Sequence, residues 1–174
     1  MVRRPQALVI GDGDAGPDQL RLAEAVGGLV ARLGMTLVTG GRGGVMEAAS
    51  RGAAQAGATT VSILPSTQMD EANPWSTVVV PTGLGHARNA VTALAGDVVI
   101  VIGGGAGTMS EIAFAWIHGR PTLAMQGSGG WADTAAAHSP DGRQSATVTA
   151  CPDLPSLESA IRRLCDERGL ALAG

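Results

Sequence analysis

Two glycine-rich segments carry the residue types that could hold an anion. The segment 103–108, Gly-Gly-Gly-Ala-Gly-Thr, lies between an apolar run and a helical pattern, and the segment 40–44, Gly-Gly-Arg-Gly-Gly, lies upstream. In a strand–loop–helix turn, glycine lets backbone N–H groups approach a ligand closely, and the helix N-terminus favours negative charge. The two segments therefore predict a site for a phosphate-bearing ligand. Its predicted phosphate contacts are Gly41, Gly43, Gly44, Gly104, Gly105, Gly107 and Thr108.

Polar side chains near these segments are further candidates for ligand contact. Arg88 lies in the first turns of a predicted helix, where a cation opposes the helix macrodipole. Its position indicates that an anion holds it, with a salt bridge or simple exposure as the alternatives. Arg42 can clamp phosphate or be a solvated loop charge, and Asn89 can bind the ligand or cap a loop. His86 is either an acid or a turn residue.

Glu111 has two interpretations that can coexist. Thr108 and Glu111 have the spacing of a capping box, in which the hydroxyl and the carboxylate satisfy free N–H groups at a helix start. Alternatively, the Glu111 carboxylate faces the ligand beside the loop. Asp12 and Asp14, by contrast, would repel phosphate from the loop that carries them, and they suit ribose hydroxyls, a metal-bridged group or a turn. Phosphate is therefore expected at the two glycine-rich segments.

The composition excludes several classes of chemistry. None of the 12 basic residues is lysine, so the protein forms no Schiff base, holds no pyridoxal phosphate on lysine and carries no Walker-type loop. A formal net charge of −3 and the scarcity of aromatic residues give no reason to expect nucleic acid. No apolar run approaches membrane-spanning length, and the two cysteines predict no metal site. We expect a cytoplasmic protein in which Cys151 and Cys165 are reduced.

Short apolar runs alternate with helical patterns along all 174 residues, which are predicted to form a single domain, 1–174. This alternation predicts a Rossmann-like, doubly wound α/β fold, a mainly parallel sheet with helices on both faces. The predicted strands are 7–10, 35–39, 59–64, 78–80, 97–102, 121–125 and 146–149. The predicted helices follow residue 18, span 44–56 and 88–95, follow residue 107 and include 157–164. The segments 65–77 and 126–145 fit no element and are interpreted as surface loops or as lids.

Four glycine-rich loops are expected at one edge of this sheet. Ligands of open α/β sheets bind outside the carboxyl ends of the strands. The loops that leave these ends are 11–18, 40–44, 81–88 and 103–108. Tight turns use glycine for their own reasons, but four such loops at one edge favour a ligand site.

The glycine segments together resemble those of a known family. Residues 103–111, Gly-Gly-Gly-Ala-Gly-Thr-Met-Ser-Glu, resemble the Pro-Gly-Gly-x-Gly-Thr-x-x-Glu signature of the LOG proteins, often mislabelled lysine decarboxylases, and 40–46 resembles their earlier glycine motif. The resemblance covers residues 7–125. It implies a phosphoribohydrolase that splits nucleoside 5′-monophosphates into base and ribose 5-phosphate. Arg88 would then hold phosphate or ribose, and Glu111 would stabilise an oxocarbenium-like ribose or position water.

Two departures from that signature indicate a sister branch. Gly103 stands where the signature has proline, and Asn89 follows Arg88 where LOG proteins usually carry lysine. The run 85–89, Gly-His-Ala-Arg-Asn, is similar to that of the branch containing the molybdenum cofactor carrier proteins. The resemblance implies a carrier-like protein that binds a nucleotide or the molybdenum cofactor through its phosphate, and at least a homodimer. The nucleotide hydrolase and a non-catalytic nucleotide sensor are the alternatives.

Overall fold

The strands of the described chain lie in one parallel sheet. The computed structural model describes residues 3–138, 140–142 and 147–173. The strands are β1 (Gln6–Gly11), β2 (Thr36–Thr39), β3 (Thr60–Leu64), β4 (Val78–Pro81), β5 (Val98–Ile102), β6 (Thr122–Met125) and β7 (Val148–Cys151). The helices are α1 (Pro17–Arg32), α2 (Val45–Gln55), α3 (Arg88–Leu94), α4 (Ala106–Ile117), α5 (Gly130–Ala137) and α6 (Leu154–Glu167). The strand order is β4-β3-β2-β1-β5-β6-β7, and every neighbouring pair is parallel.

The sheet is covered on both faces. β5 consists entirely of Val and Ile, and all of its residues are buried, as expected at the centre of a parallel sheet. One core cluster joins the sheet to α1, α2 and α6, and a second joins it to α3, α4 and α5. The predicted doubly wound α/β class is thus confirmed. Within the described ranges, we find no helix with both the length and the hydropathy of a membrane span.

A close helix crossing brings two glycine loops together. A Cβ at Gly27 of α1 would clash with the carbonyl oxygen of Ala49 in α2, so glycine is required where these helices touch. The loops that precede the two helices therefore lie side by side. The Val45 N–H at the start of α2 donates to the carbonyl oxygen of Asp12 (2.9 Å). Packing on one face of the sheet thus positions the loops at its edge.

Three predicted boundaries need correction. The segment 126–145, interpreted as a loop or lid, contains α5 (Gly130–Ala137), and 65–77 contains a short 3₁₀ turn, Met69–Glu71. The apolar residues of α5 are mostly alanines, so its sequence lacks a strong helical pattern. The last strand is Val148–Cys151 rather than 146–149, and residue 146 lies outside the described residues.

Candidate functional site

The predicted loops meet in a cavity at the carboxyl edge of the sheet. Its volume is about 250 Å³, and it lies between the loop after β1, the start of α3 and the start of α4. It is lined by Gly11, Asp12, Gly13, Met46, His86, Arg88, Asn89, Gly105, Gly107, Thr108 and Glu111. The edge therefore gathers residues from segments far apart in the chain, as the parallel topology requires.

A second cavity adjoins the first. Its volume is about 510 Å³, and its lining residues are Arg42, Pro65, Ser66, Gly85, His86 and Arg88. His86 and Arg88 line both cavities, so the two are neighbours, and we call them together the carboxyl-edge cleft. His86 is exposed in the 3₁₀ turn Gly85–Ala87 that precedes α3. The cleft is thus large enough for a ligand with an anionic end and an organic body.

Arg88 is a buried cation with few partners. Its residue is 8% exposed. Nη1 donates to Thr92 Oγ1 over a long 3.3 Å, and the same nitrogen lies 3.9 Å from Oε1 of Glu111. Its buried Nε has no hydrogen-bond partner among the residues that the structure describes. Burial lowers the pKa of Arg88, the charge of Glu111 opposes this, and Arg42 adds to the lowering. A guanidinium carries five N–H donors, so most of the donor capacity of this side chain is unused.

Gly40 makes room for the Arg88 side chain. Gly40 is buried at the end of β2, and a Cβ there would overlap Nη1 of Arg88 and approach Met46 Sδ to 2.8 Å. The absence of a side chain at this position lets the guanidinium lie against the backbone. We did not predict this role from the sequence, although Gly40 stands in a segment that we singled out.

Glu111 faces the cleft rather than capping its helix. α4 begins at Ala106 with Gly105 as N-cap, and no side chain of the described ranges caps it. The capping-box interpretation of Thr108 and Glu111 is therefore wrong, because both residues lie inside the helix. Glu111 is 7% exposed. Burial raises its pKa to about 7, and the charge of Arg88 and the neighbouring Thr92 hydroxyl lower it by less.

The loop before α4 is held in place by other segments. The Gly104 N–H donates to Asp12 Oδ2 (2.8 Å), and the Gly103 N–H donates to Ser128 Oγ (2.9 Å). At the start of α5, the Trp131 N–H donates to the Gly104 carbonyl oxygen (2.9 Å). Asp12 therefore has the turn role that was one of its alternatives. The described start of the segment after β6 thus supports the loop.

The N-terminus of α4 remains available to a ligand. In an α-helix the first N–H groups have no partner within the helix. Here these groups belong to Ala106, Gly107 and Thr108, and Gly105 and Gly107 are exposed at the cavity. An anion in the cavity would thus meet both a helix N-terminus and the Arg88 guanidinium.

The other glycines predicted to contact phosphate do not line the smaller cavity. The Gly41 N–H donates to Thr39 Oγ1 (3.1 Å), and Gly41 and Gly104 are buried beneath the loops. Gly44 lies against Asp12 and needs its positive φ of 63°, and Gly43 is half-buried nearby. Whether these glycines contact phosphate stays a prediction.

Two predicted polar side chains have protein partners. Asn89 is buried, and its Nδ2 donates to Ser110 Oγ (2.8 Å), so it ties α3 to α4. Arg42 pairs with Glu71 (2.5 Å) at the rim of the larger cavity. In the part of the chain that the structure describes, no three metal-binding side chains converge, and Cys151 and Cys165 are free thiols.

Comparisons with known proteins agree with this architecture. A model of the SLOG cluster4 family matches residues 4–153. An uncharacterized protein of Archaeoglobus fulgidus is 41% identical over 121 residues, which are 70% of this chain and 80% of that protein. The solved molybdenum cofactor binding protein of Rippkaea orientalis is 32% identical with a TM-score of 0.69, over 98% of this chain and 89% of that chain.

A second solved structure covers nearly the same residues. The Moco carrier protein of Chlamydomonas reinhardtii is 31% identical with a TM-score of 0.81, over 95% of this chain and 99% of that chain. The similarity to carrier proteins that the run 85–89 implied is therefore present over the whole fold. The family match spans most of the chain and both glycine segments. The protein thus belongs to the SLOG cluster4 family.

Proposed function

We propose that this protein binds a phosphorylated small molecule in the carboxyl-edge cleft and serves as its carrier. The single observation that carries the proposal is the buried, under-partnered guanidinium of Arg88. A buried charge without full hydrogen bonding is costly, and an anion that accepts from it would remove that cost. The open N-terminus of α4 favours the same negative charge.

The molybdenum cofactor is the ligand that we propose first. Structural relatives with 30% identity or more are described as binding or carrying it. Its phosphate would fit beside Arg88 and the first N–H groups of α4, with Gly105, Gly107 and Thr108 around it. The adjoining larger cavity has the volume for an organic ring system. A nucleotide, which also joins a phosphate to a ring, is the second ligand to test.

The test is a titration of the purified protein with the molybdenum cofactor under anaerobic conditions and, separately, with AMP. We expect saturable binding of at least one ligand, lost in Arg88→Ala. Arg120→Ala is the matched control, because Arg120 precedes β6 at the opposite edge of the sheet. Failure of both ligands to bind folded protein would refute the carrier proposal. Equal binding by Arg88→Ala would refute the site.

A nucleoside 5′-monophosphate phosphoribohydrolase is the second candidate, and the position of Glu111 favours it. A buried carboxyl group with a pKa of about 7 in a ligand-sized cavity suits acid–base chemistry at neutral pH. In hydrolysis, water adds to C1′ of the ribose, the bond to the base breaks, and the base leaves with a proton. Protonated Glu111 would supply that proton, and the carboxylate left behind would stabilise the ribose cation and then accept a proton from the added water. Arg88 would hold the phosphate.

Chromatography of reaction mixtures separates the two functions. Under the carrier proposal, AMP incubated with the protein stays intact. Release of free adenine by the parent, lost in both Arg88→Ala and Glu111→Ala, would establish the hydrolase and overturn the carrier role. Release that persists in both variants would indicate a contaminating enzyme.

We also propose that the protein works as a homodimer in the cytoplasm and that residues 1–174 form one domain. Support for self-association comes from α3 and α4, which expose Val91, Leu94, Met109 and Ile117 and carry no charged residue other than the buried Arg88 and Glu111. Exposed apolar side chains on two helices that pack against each other are typical of a protein–protein contact. Sedimentation equilibrium of the parent and of Leu94→Glu would test it, with a shift to monomer expected in the variant.

A further inference from the structure

We propose that the cleft binds an anion only when Glu111 is protonated, so that a protein molecule whose Glu111 is ionised takes up a proton as the anion binds. The inference rests on the proposed anion site and adds its regulation. It follows because the Arg88 guanidinium is shared between the Glu111 carboxylate and the bound anion in one small cavity. Binding of the ligand and ionisation of Glu111 then compete.

The geometry makes this competition unavoidable. Arg88 and Glu111 are each less than one-tenth exposed, and their closest charged atoms lie 3.9 Å apart. Both residues line the smaller cavity. Arg88 is the cation that Glu111 faces at this distance. An anion that accepts from the Nη groups of Arg88 enters the same cavity, because Arg88 lines it. It would both repel the Glu111 carboxylate and take over its counter-charge.

The remaining charges around the cavity favour the same outcome. Asp12, from the loop after β1, lines the cavity and already accepts from the Gly104 N–H. It adds negative charge to the cavity lining. Arg42 lies next to the larger cavity but is paired with Glu71. α4 itself carries no other charged residue, so nothing on its own element offsets the loss of Arg88 as a partner.

Burial of Glu111 places its change of protonation near neutral pH. The pKa of Glu111 is raised to about 7 before any ligand binds, so close to half of the carboxyl groups are protonated at neutral pH. If only the protonated form binds an anion, affinity falls by about tenfold between pH 6 and pH 8. Release is then favoured as the pH rises.

Inorganic sulfate is the probe that tests the proposal. Sulfate mimics a phosphate dianion but does not change its own protonation between pH 6 and pH 8, so any proton uptake belongs to the protein. The dissociation constant is measured by calorimetry at pH 6, 7 and 8, and proton uptake at pH 7.5 by repeating the titration in buffers of different ionisation enthalpy. We expect affinity to fall about tenfold across the range, with net proton uptake at pH 7.5.

Two variants assign the proton. In Glu111→Gln the affinity for sulfate should be the same at pH 6 and pH 8. His86 also lines the cleft, so His86→Gln is the control variant and must retain the pH dependence. A pH-independent parent, or a dependence lost in His86→Gln instead, overturns the proposal while leaving the anion site intact. Absence of sulfate binding at pH 6 overturns this proposal, whereas the proposed function stands or falls with the separate titrations with the molybdenum cofactor and AMP.

Discussion

Two arginine–carboxylate pairs lie at opposite edges of the same sheet, and they differ in almost every property. At the amino edge, Arg3 makes two hydrogen bonds to Asp97, at 2.6 and 2.7 Å, and the Gln6 N–H adds a third to the same carboxylate (2.9 Å). At the carboxyl edge, Arg88 and Glu111 approach only to 3.9 Å. The Arg3 side chain is 59% exposed, whereas the Arg88 and Glu111 side chains are each 10% exposed.

The difference separates a completed pair from an incomplete one. Burial raises the pKa of Asp97, but the hydrogen bonds from Arg3 and Gln6 together with the charge of Arg3 outweigh burial. The net pKa is therefore below the ordinary value. Burial of Glu111 is not compensated in this way, and its pKa is raised to about 7. The amino-edge pair stabilises the fold by itself. The carboxyl-edge pair has hydrogen-bonding capacity left for a ligand.

The largest expected effect is on the pH dependence of stability. Because the folded pKa of Glu111 is raised from 4.5 to about 7, the native state binds this proton more tightly than the unfolded chain does. Its contribution is complete below the unfolded pKa and is lost as the pH rises through the folded pKa. Relative to Glu111→Gln, the parent should lose about 3 kcal/mol of unfolding free energy between pH 4 and pH 8. Urea denaturation across this range measures it.

Comparison with the variant isolates Glu111 from other titrating groups. The glutamine stays neutral at every pH and keeps the shape of the side chain. Parallel stability curves for the parent and the variant would show that Glu111 titrates normally, and the contrast between the two pairs would collapse.

The second prediction concerns Gly40, which lies against the Arg88 guanidinium. In Gly40→Ala the new Cβ would overlap Nη1, and the flexible end of the arginine would move aside at little cost to the fold. Sulfate affinity at pH 6 should fall by about tenfold to thirtyfold, because Arg88 loses its position in the cleft. Gly28→Ala in α1 is the matched control, since Gly28 lines neither cavity and a Cβ there meets atoms only at 3.5 and 3.9 Å. Equal affinities in the two variants would contradict the role of Gly40.

Some parts of this site can be predicted from the sequence and others cannot, because some depend on neighbouring residues and others on residues far apart in the chain. The run of Val and Ile in β5 and the glycines after it are local patterns, so the strand, the loop and the helix could be read directly. The state of Arg88 depends on Gly40, Thr92 and Glu111, which are brought together only by the fold. No local pattern contains that information.

The capping-box error has a physical cause of the same kind. The Thr108–Glu111 spacing is a sound local signal for a helix start. The loop is instead fixed at Gly104 by the Asp12 carboxylate, and the chain enters the helix at Ala106. A contact from the other end of the sequence thus displaced the local preference and left Glu111 free to face the cleft.

The third prediction tests the completed pair. Asp97→Asn removes the charge partner of Arg3 but keeps an oxygen for the Gln6 N–H, so it should cost about 1 kcal/mol, a value limited by the exposure of Arg3. Sulfate affinity should not change. Since the pKa of Asp97 is lowered, its contribution is present above the ordinary aspartate pKa and is lost as the pH falls through the folded pKa, the opposite sign to Glu111. A loss of sulfate binding in this variant would show that the two edges are coupled.

The smallest expected effect falls on Thr92, a fully buried residue of α3 that touches both members of the incomplete pair. Its Oγ1 accepts from Arg88 Nη1 and donates to the Arg88 carbonyl oxygen (2.9 Å). Thr92→Val keeps the volume and removes the hydroxyl, so sulfate affinity at pH 6 should fall about threefold.

Thr92→Ser distinguishes positioning from packing, because it restores the hydroxyl and removes only a methyl group. It should recover the affinity that Thr92→Val loses. Since the Thr92 hydroxyl lowers the pKa of Glu111, the midpoint of pH-dependent sulfate binding should also move upward in Thr92→Val and not in Thr92→Ser. Equal midpoints in the two variants would show that the Thr92 hydroxyl does not affect the pKa of Glu111. Thr92 would then contribute to the site by packing alone.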